Sequence, residues 1–345
     1  MGPSLDERGR EVLQALIRLH VLTGEPVGSE TLARQLGRQF SSATLRNVMA
    51  ELERQGLLDH PHTSAGRVPT DDGYRLYVDG LVGQQPLPAE EAREIDSELG
   101  AAESSAARLL ERASGLLSRL SRNVGFVVAP DLGQTAFVRV DLVRLPYPRI
   151  LVVLVSAGGF VTQKVIMVDD EATQDELQAC SNYLNTHFAG KTLDRIRARL
   201  LELMREEQAL YDSLLKRVVT LGGQAFAAEA PSVDMFLDGT SNIVGRPEFE
   251  DADRMQKLFQ TFEQKGRLVK ILNACISGAG VRIVIGHENP EPELRDLALV
   301  ASGLSDEPGL SLGVLGSTRM EYPRTIALVE HVARAVQKTL TELKP

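Results

Sequence analysis

The 345-residue chain has only two cysteines, Cys180 and Cys275, which are far apart, lie in apolar surroundings and form no CxxC pair. A zinc ribbon and a thioredoxin-type motif are thereby excluded, and two buried free thiols fit a reducing compartment, the cytoplasm. Long apolar runs are missing too. The longest, Ile150 to Phe160, contains Gly158 and Gly159 and is too short to cross a bilayer, so no membrane span is expected. The opening MGPSLDERGRE lacks an apolar h-region, so no signal peptide is expected. Asp6 stands where a myristoylation signal needs Ser or Thr. Positive charge is also scarce. A net charge of −9 argues against a broadly basic surface for nucleic acid. Residues 1–80 carry nine Arg against eleven Asp or Glu, so any DNA contact there must come from a few placed arginines. No internal repeat or low-complexity tract is evident.

What remains is an ordinary globular composition, 43% apolar and 25% charged, long enough for two or three domains with real cores. The N-terminal pattern is the most informative. Leu5 to Leu22 has a helical stripe in Val12, Leu13, Leu16, Ile17 and Leu19, ended by Gly24 and Pro26. Ser29 caps a second helix that Gly37 stops. Ser41 or Ser42 caps a third, SATLRNVMAELERQG, whose inward stripe is Leu45, Val48, Met49 and Leu52. Leu57-Leu58 and Arg67-Val68-Pro69 then flank the loop HPHTSAGR, and Asp71 or Thr70 opens another helix.

Three short helices followed by strand, loop and strand make a winged helix-turn-helix. The inward stripe of the third helix leaves Ala43, Thr44, Arg46, Asn47 and Ala50 for a DNA groove. Ser42 and Ala43 are small enough for close approach, and Ser41 is a further candidate contact. Arg46 suits guanine, and Asn47 adenine or a phosphate. In the wing, His62, Thr63 and Ser64 are placed to reach phosphates, Arg67 to anchor the loop, and Gly66 to allow its turn.

Further along, QQPLP at 84–88 reads as a linker and Ala89 to Ser121 as one long helix. Its seam of Ile95, Leu99, Ala102, Ala106, Leu109, Ala113, Leu116 and Leu120 suits a coiled coil or packing on the helix's own domain. The alanines favour the second. Strands are expected at Gly125–Ala129, Ala136–Leu142, Arg149–Ser156 and Phe160–Val168. Helices are expected at Thr173–Phe188 and from Leu193 to about Leu221, with a boundary at Gly222-Gly223. Phe249–Ala274 reads as one helix, Val281–Ile285, Leu297–Leu304 and Leu310–Leu315 as strands, and Thr325–Leu343 as the last helix.

GEPVGSETLARQLG, SSATLRNVMAELERQGLL and PHTSAGRVPTDDGYRLYVD closely resemble the N-terminal domain of the HrcA family, the heat-inducible transcription repressors of bacteria. YLNTHFAGKTL, DGTSNIVGRPEF, VRIVIGHENPEPELRDLALV and LGVLGSTRMEYPRTIALVEHVA extend the resemblance over residues 5 to 343. It implies an α+β multidomain fold. Residues 1–83 form the winged helix; 84–134 the linker, long helix and first part of a GAF-like α/β domain. Residues 135–222 form an inserted dimerising domain with a three-stranded antiparallel sheet and helices, and 223–345 the rest of the GAF-like domain. It also implies a homodimeric repressor on an inverted-repeat operator of chaperone operons, released on heat stress and assisted by the chaperonin GroEL. No cofactor, metal or membrane partner is expected. The alternative is a small-molecule-sensing regulator acting through the GAF-like part.

Three motifs point elsewhere and are outweighed. His60 and His62 lack a third metal ligand at a known spacing. GLSLG, with Glu321 and His331 following in hydrolase order, fits a nucleophile elbow, but Ser311 opens an alternating strand instead of a strand-to-helix turn. NTHFAGKT mimics a phosphate loop, but its first glycine is missing and a helix precedes it. Gly190 and Thr192 read as helix caps.

Overall fold

The computed structural model describes residues 5–37, 39–61, 66–80, 86–100, 105–130, 135–205, 213–226, 235–244, 249, 251–276, 278, 280–305 and 309–343. Helix α1 (Glu7–Thr23) starts where the Asp6 carboxylate accepts from the Gly9 N–H at 2.7 Å, and ends at Gly24 in the left-handed conformation, φ 77°. Helices α2 (Ser29–Gln35) and α3 (Ser42–Arg54), strands β1 (Leu58–Asp59) and β2 (Val68–Pro69), and α4 (Asp71–Gly80) follow. Val12, Leu13, Leu16, Ile17, Leu32, Leu45, Met49 and Leu52 are buried together, at about 1.5–3 kcal/mol for each large side chain. β1 and β2 pair antiparallel, Leu58 opposite Pro69, and Val27 adds a one-residue bridge to Arg67. This is a winged helix-turn-helix.

The expected long helix is two, α5 (Ala89–Gly100) and α6 (Ala106–Ser121). The first is described as far as Gly100, and Ser105 takes the N-cap position of the second. They fold back on each other, for Arg119 of α6 pairs with Glu94 and Glu98 of α5. The seam residues Ile95, Leu99, Leu109, Ala113 and Leu116 are therefore all buried within one chain, and Ala102 lies outside the described residues.

Strand β3 (Val124–Val128) leads into a separate unit: β4 (Phe137–Arg144), β5 (Arg149–Ser156), β6 (Val161–Met167), α7 (Gln174–Phe188), α8 (Leu193–Arg205) and α9 (Ser213–Ala225). The strands form a three-stranded antiparallel sheet, β4-β5-β6. Val140, Leu142, Ile150, Val152 and Ile166 on one face pack with Leu177, Leu184, Ile196, Val218 and Phe226 into a core of their own. Gly222-Gly223 does not end the last helix. It runs on to Ala225, and Ala225 and Phe226 join this core, because Gly222 lies against Leu184 and Leu200 where a larger side chain would crowd.

The chain then returns to β3 with β7 (Met235–Asp238), a four-residue strand too short to stand out in the sequence. The expected helix at Phe249–Ala274 is two, α10 (Ala252–Glu263) and α11 (Lys265–Cys275), broken where Gln264 takes ψ 64°. β8 (Gly280–Ile285), β9 (Leu297–Gly303), β10 (Ser311–Ser317) and α12 (Tyr322–Leu343) complete the body. Its antiparallel sheet has the order β7-β3-β10-β9-β8. Helices α5, α6 and α12 contribute to the core on one face, and α10 and α11 to the core on the other. β3 and β10 are accordingly buried at every residue, so β10 does not alternate as expected. Among the described residues, no helix is long and apolar enough to cross a membrane.

Candidate nucleic-acid interface

Helix α3 is built to present one face. Leu45, Met49 and Leu52 are buried and Val48 packs against the same core, whereas Arg46 and Asn47 are exposed. The start of the helix is fixed by hydroxyls. Ser41 is the N-cap: its Oγ accepts from the Thr44 N–H at 3.0 Å and lies 2.8 Å from Thr44 Oγ1. The Ser42 and Ser29 hydroxyls are 3.0 Å apart and tie α3 to α2. The side chains of Ser41, Ser42 and Thr44 thus have internal partners that position the helix.

The electrostatics of α3 follow from its ion pairs. Glu51 pairs with Arg54 and accepts from Gln55 Nε2 at 2.8 Å. Glu53 accepts from Arg67 Nε at 2.7 Å and Nη2 at 2.6 Å. Both carboxylates of the helix are thereby neutralised. Among the described residues, Arg46 and Asn47 have no side-chain partner, so α3 offers one guanidinium and one amide outward. This is how a net negative segment can still meet DNA.

Arg67 anchors the wing, as expected, through a partner inside the protein. Its side chain is only 18% exposed and its Nε and Nη2 both donate to Glu53, so it locks the base of the wing onto α3. Gly66 also makes a close approach to the chain before α2. A Cβ there would fall 2.3 Å from the Val27 carbonyl carbon, so glycine is required for the wing to lie against the α1–α2 connection. The Val27 N–H donates to Arg67 O at 2.9 Å and Arg67 N–H to Val27 O at 3.0 Å. Thr70 closes the other side, donating to Gly56 O at 2.6 Å and accepting from Gly73 N–H at 3.1 Å. The wing-tip residues His62, Thr63 and Ser64 lie outside the described residues. Sequence reasoning missed Glu53 and Val27, both partners of Arg67, because they stand too far from it along the chain for any local signal.

The competing motifs dissolve in the structure. Ser311 is 4% exposed at the start of a buried strand that no helix follows directly, and His331 Nε2 instead lies 2.9 Å from Asp96 Oδ1. Thr192 caps α8, accepting from the Arg195 N–H at 3.4 Å. Burial pushes the Cys180 thiol up to about 11 and raises that of Cys275 as well, so neither is a thiolate nucleophile near neutral pH. Among the described residues, no three His, Cys, Asp or Glu side chains converge to hold a metal ion.

Comparison with known proteins agrees with this geometry. Residues 4–78 match the family model "Winged helix-turn-helix transcription repressor, HrcA DNA-binding", and residues 107–326 match "HrcA protein C terminal domain". The heat-inducible transcription repressor HrcA of Geobacter sulfurreducens is 40% identical over 338 residues, 97% of this chain and 98% of that protein. Its namesake from Xanthomonas euvesicatoria is 41% identical over 334 residues, 96% of this chain and 95% of that one. A solved structure described only as a hypothetical protein has the same fold, with a TM-score of 0.65 at 22% identity over 99% of this chain and all of that one.

Proposed function

The chain belongs to the HrcA family of heat-inducible transcription repressors, which bind DNA through a winged helix and are not enzymes, and from that premise we propose that it acts as a homodimer on an inverted-repeat operator. The observation that carries the DNA reading is the pair Arg46 and Asn47, exposed without partners among the described residues on the outer face of α3. Two such helices related by a two-fold axis read two half-sites of opposite orientation. Ser41, Ser42 and Thr44 set the helix, Arg67 sets the wing, and His62, Thr63 and Ser64 are proposed phosphate contacts.

The homodimer reading is supported by the outer face of the three-stranded sheet. Val143, Leu151, Val153, Val155, Val161, Val165 and Met167 share that face by register. None belongs to a core, and Val161, Val165 and Met167 are more than half exposed. The β4 edge, in contrast, is closed by α7. Asn185 takes both backbone groups of Val140, Ser181 accepts from Leu142 N–H, and Gln174 bridges Arg144 N–H and Leu142 O. Arg139, Asp141, Arg149 and Gln163 share the face, and its apolar part, in the segment resembling the family's dimerising insert, fits a second copy. GroEL as a partner, the chaperone operons as targets, release on heating and a cytoplasmic location are part of the same proposal and rest on the family resemblance. Loss of the folded dimer with temperature would release DNA without a ligand.

The test is sedimentation of the full chain and of Val165→Asp/Met167→Asp, together with operator binding. The expected outcome is a wild-type dimer that needs both half-sites, and a monomeric variant that does not. A variant that stays dimeric and binds normally would remove this face from the interface.

A further inference from the structure

The winged helix does not hang from its linker. Tyr74 and Tyr77 of α4 share one continuous core with Ile285, Met320 and Tyr322 of the body, and the rings of Tyr74 and Tyr322 meet with centroids 5.8 Å apart. A polar rim surrounds this contact on one side. The Asp71 carboxylate at the start of α4 accepts from the His287 N–H at 2.8 Å and lies 3.1 Å from His287 Nδ1. One turn on, Arg75 donates Nε to Glu288 at 2.7 Å and Nη2 to the Ile283 carbonyl at 2.7 Å. Gly286 lets the two backbones come this close: its φ is +51° and a Cβ there would fall 1.9 Å from Asp71 Oδ2. On the other side, Arg319 from the turn before α12 lies over the C-terminal cap of α1, where a Cβ on Gly24 would fall 1.9 Å from its Nη1. A cation at that end complements the helix dipole.

Two loops of the body therefore grip two different helices of the winged helix, with a buried tyrosine contact between them. Attachment at separated points on α1 and α4 fixes rotation as well as position, and with it the direction in which α3 points. We propose that this clasp is the spacing gauge of the repressor. Asp71, Arg75 and Arg319 are positioning residues that hold α3 at a set distance and angle from α3 of the second copy. They select operators by half-site spacing without touching DNA. The inference rests on the dimeric, inverted-repeat reading. Each base pair added between half-sites moves one of them by about 3.4 Å and turns it by about 34°, which a clasped pair of winged helices cannot follow and a released pair can.

The experiment uses the full chain and duplexes carrying the family's inverted repeat, with the spacer unchanged or altered by one or two base pairs, plus one duplex with a scrambled half-site. The variant is Asp71→Ala/Arg75→Ala/Arg319→Ala, which removes all three polar attachments and leaves the tyrosine contact in place. Wild type is expected to bind each altered spacer about tenfold or more weakly, as a rigid bivalent binder does when geometry forbids simultaneous engagement. In the variant that preference falls to about threefold or less, while affinity for the duplex with one intact half-site is unchanged. A folded, dimeric variant that discriminates spacers as wild type does overturns the clasp and leaves the dimeric reading intact. Wild type that binds the scrambled duplex as tightly as the repeat overturns both. If that variant loses its dimer, Asp71→Leu/Arg75→Gln/Arg319→Gln, which keeps the side-chain sizes and removes the charges, is read by the same criterion.

Discussion

Replacing Arg46 by alanine tests the assignment of α3 most sharply, because the structure separates its effect on binding from any effect on folding. Arg46 is exposed and has no side-chain partner among the described residues. Its truncation should therefore change stability by no more than about 0.5 kcal/mol. A bidentate bond to a base is worth about 1–3 kcal/mol. The proposed dimer would forfeit two of them, about 2–6 kcal/mol, or roughly 30-fold to 20,000-fold in specific affinity. A guanidinium that met only phosphate would behave differently. Affinity would fall alike on operator and scrambled DNA, and the salt slope would shrink by about one for each phosphate no longer neutralised. The assay is fluorescence anisotropy on both duplexes over a salt series, with thermal unfolding as the folding control. Specific affinity should fall while scrambled-DNA affinity stays within about threefold. Equal reductions on both duplexes would refute the base contact, and no reduction on either would refute the placement of α3 in the groove.

Gly66→Ala puts a Cβ 2.3 Å from the Val27 backbone, and overpacking of this kind costs about 1–3 kcal/mol. Its thermal midpoint should drop and its DNA binding weaken, and an unchanged midpoint would show that the wing does not lie on the α1–α2 connection. Asn185→Ala removes two hydrogen bonds to Val140, at 2.8 and 3.0 Å, worth about 2 kcal/mol together. Calorimetry should show the destabilisation and light scattering an increased tendency to aggregate through the opened β4 edge; the absence of both would mean that water replaces the amide freely. Glu288 titrates below the ordinary carboxylate range. Burial opposes its ionisation, but hydrogen bonds from Arg75 and the Ile285 N–H outweigh that. Its contribution to stability is therefore complete above the unfolded value of about 4.3 and is lost as pH falls through the lowered folded value. Glu288→Gln should flatten the acid limb of the stability profile in that window, and an unaltered limb would show that the pair with Arg75 adds nothing.

Local signals carry most of the N-terminal reading. Gly24, Ser41 and Thr70 are caps whose partners lie within four residues, and the stripe of Leu45, Met49 and Leu52 places Arg46 and Asn47 outward. Strand Arg149–Ser156 is legible to the residue from its run of β-branched and aliphatic side chains. Where the reading fails, two structures share one pattern. Ile95 and Leu99 face the core in α5 as Leu109 and Leu116 do in α6, and a heptad seam looks the same whether the helix continues or folds back. The fold-back joins Arg119 to Glu94 and Glu98 and the two apolar stripes into one core, over separations no periodicity encodes. The helix break at Gln264 carries no proline and no capping side chain. Arg67 is an anchor as expected, but its partner Glu53 is invisible in the sequence. The contacts of Asp71 and Arg75 with His287 and Glu288 join residues more than 200 positions apart, and only the folded chain brings them together.

The proposal of a dimeric repressor whose grip on two half-sites fails with heat is tested most directly by anisotropy. The full chain is titrated onto the family's inverted repeat and onto a duplex with one half-site scrambled, at fixed salt, along a temperature ramp. The account predicts tight binding that requires both half-sites and disappears on warming before the chain aggregates. Weak binding that is equal on the two duplexes at every temperature, with or without GroEL present, would contradict it.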